Sequence, residues 1–143
     1  MTDLTILDAI ADRLRSVNPP AGYMLKQVHA TPPEGLPVTP AAVLFPGSDQ
    51  ITVGNGNRTT VLTVTVVIYL LPIPRMDEKY RDLYTWRAWV RTAFDGAVTI
   101  SGNAVQVAVT GTTLGTDTYA DQDYLTVQAT AEVTVYDTVA FTA

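Results

Sequence analysis

With 143 residues, a net charge of −5 and a pI near 4.6, the chain has the length of one domain and the wrong sign for a protein that holds nucleic acid by neutralising phosphates. It contains no cysteine, which excludes disulfides, thiolate metal sites and cysteine nucleophiles. Hydrophobic residues make up 47% and charged residues only 16%, fewer surface charges than a monomer of this size usually carries. That balance fits either buried subunit interfaces or a β-rich domain with a Thr/Ser/Asn surface.

Residues 3–17 read as an amphipathic helix, with Leu4, Leu7, Ile10, Leu14 and Val17 at helical spacing and Ala11 beside them. Thr2 or Asp3 can cap it, Arg13 and Arg15 suit its C-terminal end, and Asn18 before Pro19 stops it. The first ten residues carry acids and no basic stretch, so they do not read as a signal peptide. No apolar run approaches the roughly 20 residues of a membrane span.

A weak strand is expected over 23–30, an extended surface segment over the proline-rich 31–40, and a short strand over 41–45 that Pro46-Gly47 would stop. Gly54-Asn55-Gly56-Asn57 signals a hairpin turn between Ile51/Val53 and a long strand. In that strand Leu62, Val64, Val66, Ile68 and Leu70 alternate with Thr63, Thr65, Val67 and Tyr69. Pro72 and Pro74 end it.

Asp77 and Glu78 then open a second helix over about 77–95. Its inner stripe is Tyr80, Leu83, Trp86, Val90, Ala93 and Phe94, flanked by Tyr84 and Trp89, with Gly96 as a stop. Val105, Val107 and Val109 mark another strand, and residues 111–123 read as a Gly/Thr/Asp loop. A last long strand places Leu125, Val127, Ala129, Ala131, Val133 and Val135 on one face and Thr126, Gln128, Thr130, Glu132 and Thr134 on the other.

This order predicts a single α+β domain over 1–143, a mostly antiparallel sheet of four to five strands with two helices packed on one face. The opposite face is either solvated or paired with copies of the same chain. A monomeric binding module would instead use exposed aromatics there, for which Tyr69 and Tyr136 are the candidates.

Chemistry is scarce. His29 is the lone histidine and stands in no acid–nucleophile pattern, so the chain does not read as an enzyme. Asp117, Asp121 and Asp123 are oxygen ligands of the kind Ca²⁺ takes, but their spacing is not that of an EF-hand, and they read as a solvated or contact loop. No cofactor or metal is implied. Arg75, Lys79, Arg81, Arg87 and Arg91 make the second helix the most basic stretch. Arg87 and Arg91, one turn apart, are either a solvated face or an ion-pairing face for an acidic neighbour.

The run VIYLLPIPRMDEKYRDLYTWRAWVRTAF (67–94), set between two hairpins after a short N-terminal helix, and the closing strand LTVQATAEVTVY (125–136) resemble the tail terminator (tail completion) proteins of long-tailed bacteriophages. The resemblance spans about residues 3–136 and is one of pattern and order rather than of an invariant motif; the proline-rich 31–40 segment departs from it. Neck (head-closure) and tail-tube proteins share the plan. It implies a virion protein, made in the host cytoplasm, that forms a homohexameric ring on the tail tube, stops tube growth and docks the neck or head-completion protein. DNA would pass through the lumen without specific binding. On that reading Arg87 and Arg91 of one subunit meet Asp117, Asp121 and Asp123 of the next, and Asn55, Asn57, Arg58, Leu114 and Tyr119 touch tube or neck.

Overall fold

The computed structural model describes residues 3–20, 22–54, 56–72, 76–94, 98–100 and 105–138. Its elements are α1 (Asp3–Ser16), β1 (Gln27–His29), β2 (Ala41–Val53), β3 (Asn57–Pro72), α2 (Met76–Ala93), β4 (Val98–Ile100), β5 (Val105–Tyr119) and β6 (Gln122–Thr138). Thr2, Asn55, Pro74, Arg75, Gly96 and the tail from residue 139 lie outside the described residues, as do the side chains of Asp3, Asp77, Glu78, Lys79 and Tyr80.

The fold is α+β, with one sheet in the order β1-β2-β3-β6-β5-β4. Four strands are long, and three-residue strands stand at either border. Only β1–β2 is parallel; the other pairings are antiparallel. At the centre β3 runs against β6, with Leu62, Val64, Val66 and Ile68 opposite Val133, Ala131, Ala129 and Val127. Because side chains alternate along a strand, all eight fall on one face. They form one core with Ile6, Leu7, Ile10, Ala11 and Leu14 of α1, Leu83, Trp86, Trp89, Val90 and Ala93 of α2, and Phe94 just after it. Both helices therefore cover the same face. Burying a Trp86-sized side chain there contributes on the order of 2–3 kcal/mol from transfer alone. Trp86 meets Tyr23 and Trp89 edge to face, at ring separations of 5.9 and 5.4 Å. Trp89 is fully part of this core rather than a flank, and its indole N–H has no partner among the described residues.

The two helices are also tied by a polar contact. Arg13 Nε of α1 donates to the Ala93 carbonyl at 2.9 Å, placing a cation on the C-terminal end of α2. Leu4, expected in the buried stripe of α1, is exposed, and Ile6 takes its place.

Three local expectations are corrected. Pro46-Gly47 does not end a strand; β2 continues to Val53 through a bulge between Pro46 and Asp49. The bulge adds one residue, so Ala42 and Leu44 before it and Asp49, Ile51 and Val53 after it share the helix side of the sheet. Residues 111–123 are not a loop. They are the distal half of a β5–β6 hairpin that pairs through Tyr119–Gln122, with a second bulge between Val109 and Gly111. Its two-residue turn places Ala120 and Asp121 at φ 49° and 65°, the left-handed pair of a type I′ turn. The sheet's second face is not uniformly polar either, as described below.

Gly47 is required by a close approach: a Cβ there would stand 2.9 Å from the Thr63 carbonyl oxygen. Gly47→Ala must shift backbone in the bulge. Thermal or denaturant unfolding should show a loss of about 1–3 kcal/mol, the usual cost of forcing backbone shifts in a packed site.

Candidate functional site

The reverse face of the sheet divides in two. At one end Val43, Val67, Tyr69 and Tyr124 form a second buried cluster, capped by Leu36, Phe45 and Tyr119. The proline-rich segment supplies the cover. Leu36 packs into the cluster, and the Tyr119 hydroxyl donates to the Pro33 carbonyl. Tyr69 stands edge-on to both Tyr119 and Tyr124 at 5.2 and 5.6 Å. It is 1% exposed, so the aromatic expected to face a ligand is instead core. Thr126 is buried with it. Burial, then the nearby Asp117 carboxylate and Tyr119, push the Tyr69 hydroxyl pKa far upward; burial raises that of Tyr119.

At the other end the β2–β3 hairpin and the end of β6 extend past the helices. Ile51 and Val53 are more than half exposed on the helix side, at 56% and 59%, and Tyr136 is 52% exposed on the reverse side. Asn57 and Arg58 begin β3 at this tip, and both are exposed.

The sheet carries two long open edges. β1 covers β2 only at Ala41–Val43, so Leu44–Val53 has no outer strand among the described residues. β4 covers β5 only at Val105–Val107, leaving Ala108–Tyr119 open in the same sense. Unpaired edges of this length are templates for further strands unless guarded. The β2 edge holds Pro46, the bulge and Asp49. The β5 edge holds neither Lys nor Pro, and Asp117 is its one charge.

The predicted interface residues fall on separate patches. Arg91 Nη2 donates to the Thr112 hydroxyl on β5 at 3.0 Å. Arg87 lies over the Tyr84 ring at 5.4 Å. Tyr84, Arg87 and Arg91 share one side of α2 by their spacing, and the Arg91–Thr112 bond sets that side beside the β5 edge. Asp117, Asp121 and Asp123 gather at the β5–β6 tip. The Thr118 hydroxyl donates to Asp123 Oδ1 at 2.5 Å, and the Thr118 amide donates to Asp117 Oδ1 at 2.8 Å. Among the described residues no three acidic or histidine side chains converge as a metal site. Leu114 packs against the helix-side core and Tyr119 against the reverse cluster, so neither is the free tip residue expected of a contact loop.

Elsewhere, a cleft of about 530 Å³ is lined by Tyr23, Met24, Lys26, Leu70, Asp82 and Trp86, among others, and is crossed by a 3.0 Å bond from the Tyr23 hydroxyl to Asp82. His29 Nε2 is 3.0 Å from Gln27 Oε1. No helix among the described residues is long and apolar enough to cross a membrane.

Neither a comparison with protein-family models nor one with curated proteins finds a match for this chain.

The sequence missed the β5 edge because Gly, Thr and Asp read as loop. The signal it offered was Thr at 110, 112, 113, 116 and 118, a β-former in a run without proline.

The buried tyrosines predict an alkaline limit. Their folded pKa values lie above the unfolded value of about 10, so their contribution is complete below pH ~10 and is lost as pH rises beyond it. Tyr69→Phe should flatten the fall in stability above pH ~10, measured as the denaturation midpoint against pH.

Proposed function

We propose that this protein is a structural assembly protein, a phage tail terminator that closes into a homohexameric ring on the end of the tail tube. What carries the reading is a projecting, partly apolar hairpin combined with two sheet edges that are open among the described residues. Such a surface suits partners that are themselves sheets. The resemblance in element order, from the helix opening after Pro72 to the long closing hairpin, narrows the class to tail terminators ahead of neck and tail-tube proteins. In this reading the ring stops tube growth and presents a platform for the neck.

Charge supports the same assignment. Six copies at −5 give a ring of about −30, whose lumen repels DNA and lets it slide rather than binding it. The proposed partners are therefore the tube protein, the neck protein and other copies of the chain, with the virion as its place of work.

The rival reading, a monomeric module that binds through aromatics on the reverse face, loses its main support with the burial of Tyr69; Tyr136 remains its exposed aromatic.

Light scattering on the purified protein should give a species near six times 15.4 kDa. A strict monomer that also fails to cap tail tubes in electron micrographs overturns the proposal. Reversing both Arg87 and Arg91 to Glu should leave far-UV circular dichroism unchanged and abolish the ring, because the stripe they form is cationic and lies outside the core, Arg87 half-buried and Arg91 exposed. A variant that still assembles removes this helix side from the interface.

A further inference from the structure

We infer that neighbouring copies join by antiparallel β-addition, with the open edge of β2, Leu44–Val53, of one copy added to the open edge of β5, Ala108–Tyr119, of the next. This contact deepens the ring reading and rests on it only for closure into six.

The topology supplies the direction. β2 and β5 run in opposite senses, since three antiparallel pairings separate them. Copies standing side by side in one orientation therefore present β2 and β5 to each other antiparallel, without rotation. The two open stretches are also of similar length.

Their placement supplies a stagger. Leu44, Val66, Ala129 and Thr112 stand in one row across the sheet. From that row the open part of β2 runs toward the Val53 tip, and the open part of β5 runs mainly the other way, to Tyr119. Full pairing requires each copy to slide along the strands by several residues, which also clears β4 from the neighbour's hairpin. Six strands at ~4.8 Å span about 29 Å, so the ~35–45° strand tilt of closed barrels corresponds to a slide of roughly six to nine residues per copy. The stagger that frees the edges is of the size that closes a sheet into a ring.

Side chains supply the partner. In this pairing Asp49, Ile51 and Val53 sit on the helix side, beside the Tyr84–Arg87–Arg91 stripe of the next copy. The exposed Ile51 and Val53 are covered, and Asp49 meets the two guanidinium groups. Self-pairing is disfavoured by the same charges. A β5–β5 seam brings two Arg87–Arg91 stripes together, and a β2–β2 seam brings Asp49 to Asp49 and two copies of Pro46 to one edge. The complementary occupant of each edge is the other edge of a second copy. The arginines thus meet Asp49 rather than Asp117, Asp121 and Asp123.

The chain has no cysteine, so introduced thiols report cleanly. Gln50 and Thr113 are both exposed on the reverse face, one on each edge. Directly opposed or diagonal positions in such a seam lie within about 8 Å, so the test tolerates a register shift of two residues. The double variant Gln50→Cys/Thr113→Cys, treated with a short bismaleimide, should give a ladder of covalent multimers. Each single variant should give no ladder. A hexamer by light scattering with no ladder overturns this contact and leaves the ring standing. A ladder running well past six supports the contact and overturns the six-fold ring. A monomer at every concentration with no cross-linking overturns the contact in solution and leaves only a ring assembled on the tube.

Discussion

The pairing of β3 with β6 puts two apolar rows side by side, and every other element is positioned from them. Leu62 to Ile68 of β3 face the helices beside Val127 to Val133 of β6. A slip of one residue would turn Thr63, Thr65, Thr130 and Glu132 into the core and both rows outward. The register is thus fixed by burial rather than by any turn, since β3 and β6 are far apart in sequence. The small residues Ala129 and Ala131 sit mid-row in β6, in the same core as both tryptophans of α2. Large side chains on the helix and small ones on the sheet let the two layers approach while filling the space between them.

The reverse face shows what happens when a sheet is longer than its helices. Its polar half needs no cover, as antiparallel sheets tolerate water on one side. Its apolar half, around Val43, Val67 and Tyr69, does need cover, and among the described residues the link between β1 and β2 supplies it through Leu36. Prolines suit that link because they hold it extended without requiring ladder hydrogen bonds. The Tyr119–Pro33 bond then ties the β5 end to the link. Three stretches distant in sequence (the link, β3 and the β5–β6 tip) are so joined into one small core.

That geometry also explains which features the sequence disclosed. Alternation in 62–70 and 125–135 gave β3, β6 and the face each presents, because period 2 is a local property of a strand with one buried side. The fold class followed from the order of elements. Alternation places Tyr69 on the correct face, yet its burial depends on Leu36, Tyr119 and Tyr124, a contact set by topology and invisible to periodicity. The span of β2 was hidden for a different reason: Pro46-Gly47 is a stop signal in most strands, and only the approach of Gly47 to Thr63 makes it a bulge. In the distal β5–β6 hairpin, one neighbour strand suffices to hold residues whose composition alone suggests a loop. Of the candidate contact residues, Arg87 is half-buried and Arg91 exposed, on the side of α2 next to β5. Ile51 and Val53 are legible as the strand before the hairpin turn, but that they face the helix side with Asp49 depends on the bulge, which has no local sequence signal.

The distribution of guards along the edges bears on assembly. A chain that avoided edge pairing altogether would blunt both borders. Here β1 and β4 each cover only three residues, at opposite ends of the sheet, and leave open stretches that cannot meet in level register. Short border strands of this kind select among modes of association. They block level side-by-side pairing and permit a staggered one. The charges act in the same direction, since the cationic stripe and Asp49 lie on the same side of the sheet but on different edges. An interface built from two different edges is heterologous, and heterologous contacts continue until geometry closes them. Whether closure gives a ring or an open filament depends on the slide per copy and the sheet's twist, and both follow from where β1 and β4 stop and how the two bulges bend β2 and β5. In the proposed contact the bulges at Pro46–Asp49 and Val109–Gly111 therefore bear on assembly as well as on the fold, each sitting on a strand whose outer edge is open among the described residues.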